Sequence, residues 1–510
     1  MIPSYKVLNA SENIIGDSIN LNLHMTTQEF QLHSSVSNKF KSTHAVPQKE
    51  LTSEYEKEEM DNNFKKAIFT KRHFFILGST FLLLLTGALS VYLLQPEFQE
   101  MNLSRMNTWA GMGLVILTSF LLLFRLGFLA YIARLFFRYK PVESVADNEL
   151  PSCTVIVPAY NEGKQVYSTL LSLVNSRYPQ EKLQLIAIDD GSKDDTWDWM
   201  KKAKEQLGSR VSIYQQPENK GKRHALHRGF KLATGEVFVT VDSDSIVEKD
   251  TLRNLVSPFV TNENCGAVAG NVRVLNNQKA IIPRMLNVSF VFSFEFIRSA
   301  QSVLGSVLCT PGALAAYRSK AVMNCLPEWI NQTFMGQPTD IGEDRAMTNM
   351  ILKQGYHVLF QRNAFVLTNI PEKFSSLHKM FTRWERSNVR ENLMMSKFAF
   401  KPFRNGSKSG TRLLLLNQWM QMLTAYPLFL IMIILLLSHP VLFISSTLLS
   451  ILIFSSLPTF FYARKYNIAE ALWAYSYSIF YTFGLFWITP YAMATANRRG
   501  WLTRGLPEKK

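Results

Sequence analysis

Long apolar stretches constrain the fold of this chain more than any other feature. They cover residues 73–94, 109–137 and 412–497, and the residues between the second and the third have the composition of a soluble domain. A run of about 20 apolar residues is long enough to cross a bilayer as a helix. The sequence therefore predicts an integral membrane protein with a soluble domain inserted between N-terminal and C-terminal spans. Residues 95–108 carry few charges and are expected to form a short loop between the first two spans.

The formal net charge of +16 is concentrated beside these apolar stretches. Lys and Arg cluster at 65–72, 134–140 and 498–504, as expected for cytoplasmic flanks of membrane spans. No basic stretch is interleaved with aromatic residues, so the pattern favours a lipid bilayer over nucleic acid as partner. It also places the central domain on the cytoplasmic side of the cell membrane. The four cysteines lack CxxC or Cys/His spacing, which indicates reduced thiols rather than zinc.

These patterns divide the chain into six parts. We expect a disordered cytoplasmic tail at 1–72, two transmembrane helices at 73–137 and an α/β domain at 151–370. Interfacial amphipathic helices with an Arg-Trp motif are expected at 371–411, C-terminal transmembrane helices at 412–497 and a basic cytoplasmic tail at 498–510. The C-terminal block has three apolar segments, and three crossings would place Arg498 and Arg499 outside. Either the region around Pro490 makes an extra short or re-entrant pass, or one segment does not cross.

Strands and helices alternate from Pro151 onwards, which predicts an α/β domain with a mostly parallel sheet. Each of three apolar strands is followed by acidic residues: Glu162 after the first, Asp189 and Asp190 after the second, Asp242 and Asp244 after Val237–Val241. Ligands of open α/β sheets bind at the carboxyl ends of the strands. These carboxylates are therefore expected to converge at one edge of the sheet.

The pair Asp242 and Asp244 is the strongest indication of chemistry. Carboxylates at i and i+2 of an extended strand point the same way, and paired hard oxygens suit Mg²⁺ or Mn²⁺ carrying a diphosphate. Taken alone, the pair is also compatible with a polar turn that closes a strand. Cations that could receive phosphates are present at Lys222, Arg223 and Arg383.

Glu343 and Asp344 open a helical pattern and allow two interpretations. Acidic residues in a first helical turn favour the helix dipole. A carboxylate near a reacting centre can instead serve as general base for an acceptor hydroxyl. We expect Asp344 to be that base, with Glu343 in support.

Several motifs follow one another in an order that resembles a known family. They are VIVPAYNE, AIDDGS, NKGKRHAL, TVDSDS, GEDR, and TRW followed by Arg390-Glu391. In this order they resemble membrane-embedded inverting glycosyltransferases of family 2, in particular hyaluronan synthases and nodulation-type chitooligosaccharide synthases. The resemblance covers roughly residues 150–400. It implies a cytoplasmic catalytic domain of the GT-A type, a UDP-sugar donor and a growing glycan acceptor.

The resemblance also implies a role for each site residue. Asp189 and Asp190, with Glu162, would hold the nucleoside, and Lys222 and Arg223 would lie at the nucleotide. Asp242 and Asp244 would hold Mg²⁺ or Mn²⁺ with UDP, and Asp344 would be the base. Cys309 belongs to a segment, Leu308 to Arg318, that lines the acceptor and nucleotide pocket in the family. The interfacial motif that grips diphosphate and acceptor would contribute two residues, Arg383 and Trp384.

The chain departs from the family pattern at two places. Met380 stands where the family motif Gln-x-x-Arg-Trp has Gln, and Met cannot hydrogen-bond as an amide does. Processivity and nucleotide gating by this motif are therefore open. Near the C-terminus, Trp501-Leu502-Thr503 replaces the family's Trp-Gly-Thr, which weakens the assignment of the tail as a cover of the active site.

We expect a membrane-bound transferase that uses UDP-GlcNAc, alone or with UDP-GlcA, to extend and secrete a β-linked polysaccharide, as hyaluronan synthases do. One alternative is a chitin or chitooligosaccharide synthase. Another is a non-processive family 2 transferase that makes short or lipid-linked glycans. A transporter or receptor that only binds nucleotide is an alternative from a different class, and it predicts that Asp344→Asn leaves function intact.

Overall fold

The computed structural model describes residues 69–498. Most of the expected N-terminal tail and nearly all of the basic C-terminal tail, including Trp501-Leu502-Thr503, therefore lie outside the described residues.

The N-terminal part of the described chain consists of three helices. They are α1 (Lys71–Leu93), α2 (Gln95–Met106) and α3 (Trp109–Arg138). The expectation of a loop at 95–108 was wrong, because α2 fills most of it. A proline in its first turn, Glu97 near its N-terminus and Arg105 near its C-terminus all favour a helix at this place.

An eight-stranded sheet forms the centre of the molecule. Its strands are β1 (Cys153–Ala159), β2 (Leu183–Asp189), β3 (Val211–Gln215), β4 (Val237–Val241), β5 (Ser245–Val247), β6 (Cys265–Val274), β7 (Leu314–Arg318) and β10 (His357–Thr368). The strand order is β3-β2-β1-β4-β7-β6-β10-β5. A separate two-stranded hairpin is formed by β8 (Thr333–Phe334) and β9 (Gln337–Pro338).

The pairing of the strands explains why their carboxyl ends meet. β1 pairs in parallel with β2 and β4, β2 with β3, and β6 with β10. β7 runs antiparallel between β4 and β6, and β5 is antiparallel to β10. β1 and β4 are buried along their whole length, as expected for strands that are covered on both faces. The predicted mostly parallel sheet between apolar helices is confirmed.

Helices cover the sheet and connect its strands. They are α4 (Gln165–Val174), α5 (Thr196–Leu207), α6 (Lys222–Leu232), α7 (Thr251–Thr261), α8 (Ile281–Val291), α9 (Ser299–Val303), α10 (Ser319–Ile330), α11 (Glu343–Lys353) and α12 (Phe374–Ala399). A π-helical turn, Phe292–Arg298, joins α8 to α9. Short 3₁₀ turns lie at Gln180–Lys182 and Gly208–Arg210.

The C-terminal block starts with two long apolar helices, α13 (Ser409–Ser438) and α14 (Pro440–Lys465). Together with α1 and α3 they are the four helices among residues 69–498 that are long and apolar enough to cross a membrane. The third apolar segment is divided into α15 (Ile468–Ala471), α16 (Trp473–Gly484) and α17 (Ile488–Ala494). At 1.5 Å per residue, α16 is too short for a hydrocarbon core of about 30 Å. No single helix of the third apolar segment is therefore long enough to cross the hydrocarbon core.

Candidate active site

The acidic residues Asp189 and Asp190, at the end of β2, accept hydrogen bonds from two neighbouring loops. Oδ1 of Asp189 accepts from the Ser192 backbone N–H at 3.1 Å and from the Ser192 hydroxyl, and Oδ2 accepts from Gln215 Nε2 at 2.9 Å. Asp190 accepts from the backbone N–H groups of Gly221 at 2.7 Å and Lys220 at 3.1 Å. Burial raises the pKa of Asp190 to about 6, although these hydrogen bonds oppose the shift. Asp190 therefore fixes the loop that immediately precedes Lys222.

Gly221 is the residue that lets this loop turn into α6. Its φ is +93°, a conformation that side-chain-bearing L residues rarely adopt. In this conformation the backbone N–H of Gly221 donates to Asp190, and Lys222 is the first residue of α6.

Glu162 lies on the other side of the same edge, in the loop after β1. The residue is 9% exposed, and its Oε2 accepts from Gln165 Nε2 at 3.4 Å. The Thr196 hydroxyl, at the start of α5, accepts from the backbone N–H of Glu162 at 2.8 Å. The loops after β1 and β2 are thereby held together.

Lys222 is the centre of the acidic cluster. Its Nζ contacts Oδ1 of Asp242 and lies 3.3 Å from Oε1 of Glu343. Burial by itself lowers the pKa of Lys222, but Asp242, Glu343 and Asp344 outweigh it and raise the pKa above its ordinary value. A Cβ at Gly312 would collide with this Nζ, so the absence of a side chain at 312 makes room for the ammonium.

Glu343 and Asp344 occupy the first turn of α11. The Asp344 carboxylate accepts from the Arg345 backbone N–H at 2.7 Å and from the Gly312 N–H at 3.3 Å. The Cys309 sulfur lies 3.7 Å from Oδ2 of the same carboxylate. Burial and the negative charge of Glu343 raise the pKa of Asp344, while Lys222 and Arg383 act against the shift. An acid with a raised pKa in an electrostatically organised site has the property expected of a general base.

Asp242 and Asp244 follow β4 and are both half-buried. Oδ1 of Asp244 accepts at 3.3 Å from the hydroxyl of Thr368, at the end of β10, the strand that pairs with β5. Within residues 69–498, no group of three or more His, Cys, Asp or Glu side chains is arranged to hold a metal ion. Mg²⁺ commonly binds through one or two carboxylates together with substrate phosphates. Two carboxylates at the end of one strand are a donor set of this kind, and Asp242 is already in contact with the Lys222 ammonium.

Arg223 follows Lys222 in the sequence, but its side chain forms no ion pair with Asp242, Glu343 or Asp344. The residue is 2% exposed, and its guanidinium donates to the Trp329 carbonyl at 2.7 Å and to Oε1 of Gln332 at 3.1 Å. The Gln332 amide in turn donates to Glu391 of α12 at 2.9 Å. Arg223 therefore belongs to a buried network behind the site, and its placement does not support the expected contact with a nucleotide.

That network contains residues that sequence reasoning missed. Asn349 of α11 donates to Oε2 of Glu391 at 2.8 Å, and Arg345 donates to Asn392 at 2.5 Å and to Asn388. These contacts fix α11, which carries Asp344, against α12. Asn residues four apart on one face of α12 were the only signal in the sequence, and such a pattern is common on solvated helices.

The Arg-Trp motif lies on α12. The charge of Arg383 lowers the pKa of Asp344, and Trp384 is 38% exposed with its ring next to Phe290 and Phe381. Met380 is buried in an apolar cluster that includes Leu377 of the same helix and Ile488 of α17.

Comparison with known proteins finds similarity to glycosyltransferases. Residues 154–326 match the family model described as Glycosyl transferase family 2. An N-acetylglucosaminyltransferase of Rhizobium meliloti (strain 1021) is 32% identical over 49% of this chain and 59% of its own length. A hyaluronan synthase of Streptococcus pyogenes is 31% identical over 48% of this chain and 58% of its own length. The match thus spans less than two thirds of either relative.

Among solved structures, a mannosyltransferase from Pyrobaculum calidifontis in complex with GDP-Man and Mn²⁺ has a TM-score of 0.49 at 19% identity. It covers 75% of this chain and 96% of its own. The family match falls within the central domain and agrees with the family that the sequence motifs resemble.

Proposed function

We propose that this protein is a membrane-bound inverting glycosyltransferase that extends a β-linked polysaccharide from UDP-sugars, in the manner of a hyaluronan synthase. The observation that carries the proposal is the meeting of Asp242, Lys222 and Glu343 beside Asp344. These residues come from β4, α6 and α11, and a sheet edge gathers such charge for a charged ligand. The two relatives named above support the class of substrate.

The residues of this cluster divide the work of sugar transfer. Asp242 and Asp244 would hold Mg²⁺ or Mn²⁺, which neutralises charge on the leaving diphosphate. Lys222 would exchange part of its contact with Asp242 for a phosphate oxygen. Asp344 would take the proton of the acceptor hydroxyl as its oxygen forms the new bond to the sugar and UDP leaves with the electron pair of the old one.

We assign the three carboxylates near the nucleoside to two roles, direct contact with the nucleoside and support of the loops around it. Glu162 lies at the edge of the sheet and is the carboxylate we assign to direct contact. Asp189 and Asp190 are nearly fully buried, and their oxygens already accept hydrogen bonds from the adjacent loops. We therefore assign them to holding those loops in the shape that receives the nucleoside. Cys309, beside Asp344, would line the pocket.

On the acceptor side, α12 would present Arg383 and Trp384 to the diphosphate and the glycan. Because Met380 packs into an apolar cluster, the side chain at 380 is not placed to contact a substrate. Met380 therefore occupies an internal packing position in this chain. The four apolar helices would anchor the domain on the cytoplasmic face, with residues 151–370 as the catalytic domain and 371–411 at the interface.

A chitin-type or short-oligomer synthase is the second candidate, because the N-acetylglucosaminyltransferase is as similar to this chain as the hyaluronan synthase is. The test is UDP release by the purified, detergent-solubilised protein with Mn²⁺ or Mg²⁺, given UDP-GlcNAc alone or with UDP-GlcA. The product is sized before and after hyaluronidase and chitinase.

A long product that needs both sugars and is cut by hyaluronidase supports the first proposal. A short chitinase-sensitive product from UDP-GlcNAc alone establishes the second. Absence of UDP release with both sugars contradicts both.

A further inference from the structure

The cation Arg298 is used by none of the steps above. It ends the π-helical turn between α8 and α9, and within residues 69–498 its buried NH1 nitrogen has no hydrogen-bond partner. Buried guanidinium groups are normally paired, because leaving such a charge without a partner costs several kcal/mol. An arginine in this state indicates a position where a ligand supplies the missing oxygen atoms.

Arg298 is linked to Asp344 through the segment that follows α9 and through an electrostatic interaction. Backbone and side-chain oxygens of Gln301, on the helix that follows Arg298, accept from the N–H groups of Ser306 at 3.1 Å and Leu308 at 3.4 Å. This ties α9 to the segment that ends in Cys309, whose sulfur contacts Asp344. Burial lowers the pKa of Arg298, and Cys309 and Asp344 are the groups that oppose this shift most.

A row of aromatic rings connects Arg298 with the Arg-Trp motif. The guanidinium lies over the ring of Phe294, 3.7 Å from its centroid. The ring of Phe290 is 5.9 Å from that of Phe294 and 6.3 Å from that of Trp384. Aromatic faces offer apolar contact to the C–H face of a sugar, and a guanidinium at the end of the row offers donors to its oxygens.

We infer that Arg298 binds the oxygen atoms of the sugar at the growing end of the acceptor. The inference rests on the proposed transferase function and adds a residue to it. The diphosphate has its own cations and carboxylates at Lys222, Asp242 and Asp244. The acceptor hydroxyl must reach Asp344, so the terminal sugar would lie beside this carboxylate. The NH1 nitrogen of Arg298, which has no hydrogen-bond partner within residues 69–498, belongs to a group that interacts electrostatically with Asp344.

The test compares wild type, Arg298→Gln and Arg298→Lys in the full-length protein in detergent. Initial rates of UDP release are measured with the donor varied at fixed acceptor, and with the acceptor varied at fixed donor. The acceptor is chitotetraose or a hyaluronan tetrasaccharide, whichever the wild type extends. Arg362→Gln is the matched control, because Arg362 also lies over an aromatic ring, that of Tyr139, at 5.0 Å.

We expect Arg298→Gln to raise the KM for the acceptor about tenfold, since hydrogen bonds from a charged donor contribute about that much to binding. Arg298→Lys is expected to recover part of this loss. The KM for the donor and the release of UDP to water should stay within about twofold, and Arg362→Gln should behave as wild type.

An unchanged acceptor KM in a folded Arg298 variant contradicts the inference, and so does an equal rise in the donor KM. If neither variant retains a thermal transition, Arg298 is a core residue and the inference is wrong. An inactive wild type is a different outcome, because it contradicts the proposed function itself.

Discussion

Nζ of Lys222 lies 3.3 Å from Oε1 of Glu343 and also contacts Oδ1 of Asp242, so one ammonium group joins the end of β4 to the start of α11. The carboxylate of Glu343 is almost fully buried and Asp242 is the more exposed partner. The ammonium therefore neutralises the buried side of the cluster, and Asp242 keeps an exposed side, on which we propose that the cation and the diphosphate bind.

Lys222→Met is expected to weaken UDP binding at least tenfold and to lower the free energy of unfolding by about 3 kcal/mol, because a buried carboxylate loses its partner. Calorimetric UDP binding and thermal unfolding measure the two effects. Lys201→Met is the control: its ion pair with Asp198, at 2.7 Å, is exposed, and surface pairs contribute little. Equal effects of the two substitutions would contradict the assigned role of Lys222.

The raised pKa of Asp344 sets the direction of the pH dependence. A general base must be ionised, so kcat should fall as the pH falls through the pKa of Asp344, above the usual range of a carboxyl group. Glu343 is one cause of the shift through its negative charge. Glu343→Gln should therefore move this acidic limb to lower pH, as measured in a pH profile of kcat at saturating donor. If the acidic limb stays in place or moves to higher pH, the charge of Glu343 does not raise the pKa of the catalytic base.

Met380→Gln restores the residue of the family motif but places an amide in an apolar cluster. We expect it to lower the free energy of unfolding by about 1–3 kcal/mol, since buried polar groups without partners are destabilising. Product length should not increase. Met380→Leu, which conserves volume, should be nearly neutral in thermal unfolding. A longer product from Met380→Gln at unchanged stability would show that position 380 does reach the substrate.

The carboxylate pair after β4 is tested through the metal requirement. Asp244→Asn should raise the Mn²⁺ concentration for half-maximal activity about tenfold or more, because a neutral amide oxygen is a weaker ligand for a hard cation. Asp250→Asn is the control, as Asp250 forms an exposed ion pair with Arg177 at 3.1 Å. Titration of metal-depleted protein gives the comparison, and similar curves for Asp244→Asn and wild type would argue against the site.

Much of the fold could be predicted because apolar strands, acidic strand ends and long apolar helices are local patterns. The directions of neighbouring side chains could not. Lys222 and Arg223 are consecutive and chemically similar, yet one faces Asp242 and the other donates to the Trp329 carbonyl. Only the packing of α6 against α10 separates them. The division of the last apolar segment into separate helices could not be predicted either. Its composition is apolar throughout, although the helix is interrupted.

The network around Glu391 was beyond sequence reasoning for a related reason. Its partners Gln332 and Asn349 are 59 and 42 residues away, and each is an ordinary polar residue in its local sequence. Their function as an internal scaffold for α11 follows only from the tertiary structure.

The most direct test of Asp344 as the general base uses one preparation of the Asp344→Asn variant. Its turnover and its affinity for UDP are both measured. We predict that UDP release with a UDP-sugar and acceptor falls by at least about a hundredfold, the usual contribution of a general base. UDP affinity should remain within about threefold of wild type, because the carboxylate acts on the acceptor and not on the nucleotide. Unchanged turnover in Asp344→Asn would contradict the assignment of Asp344 as the base and favour a protein that only binds nucleotide.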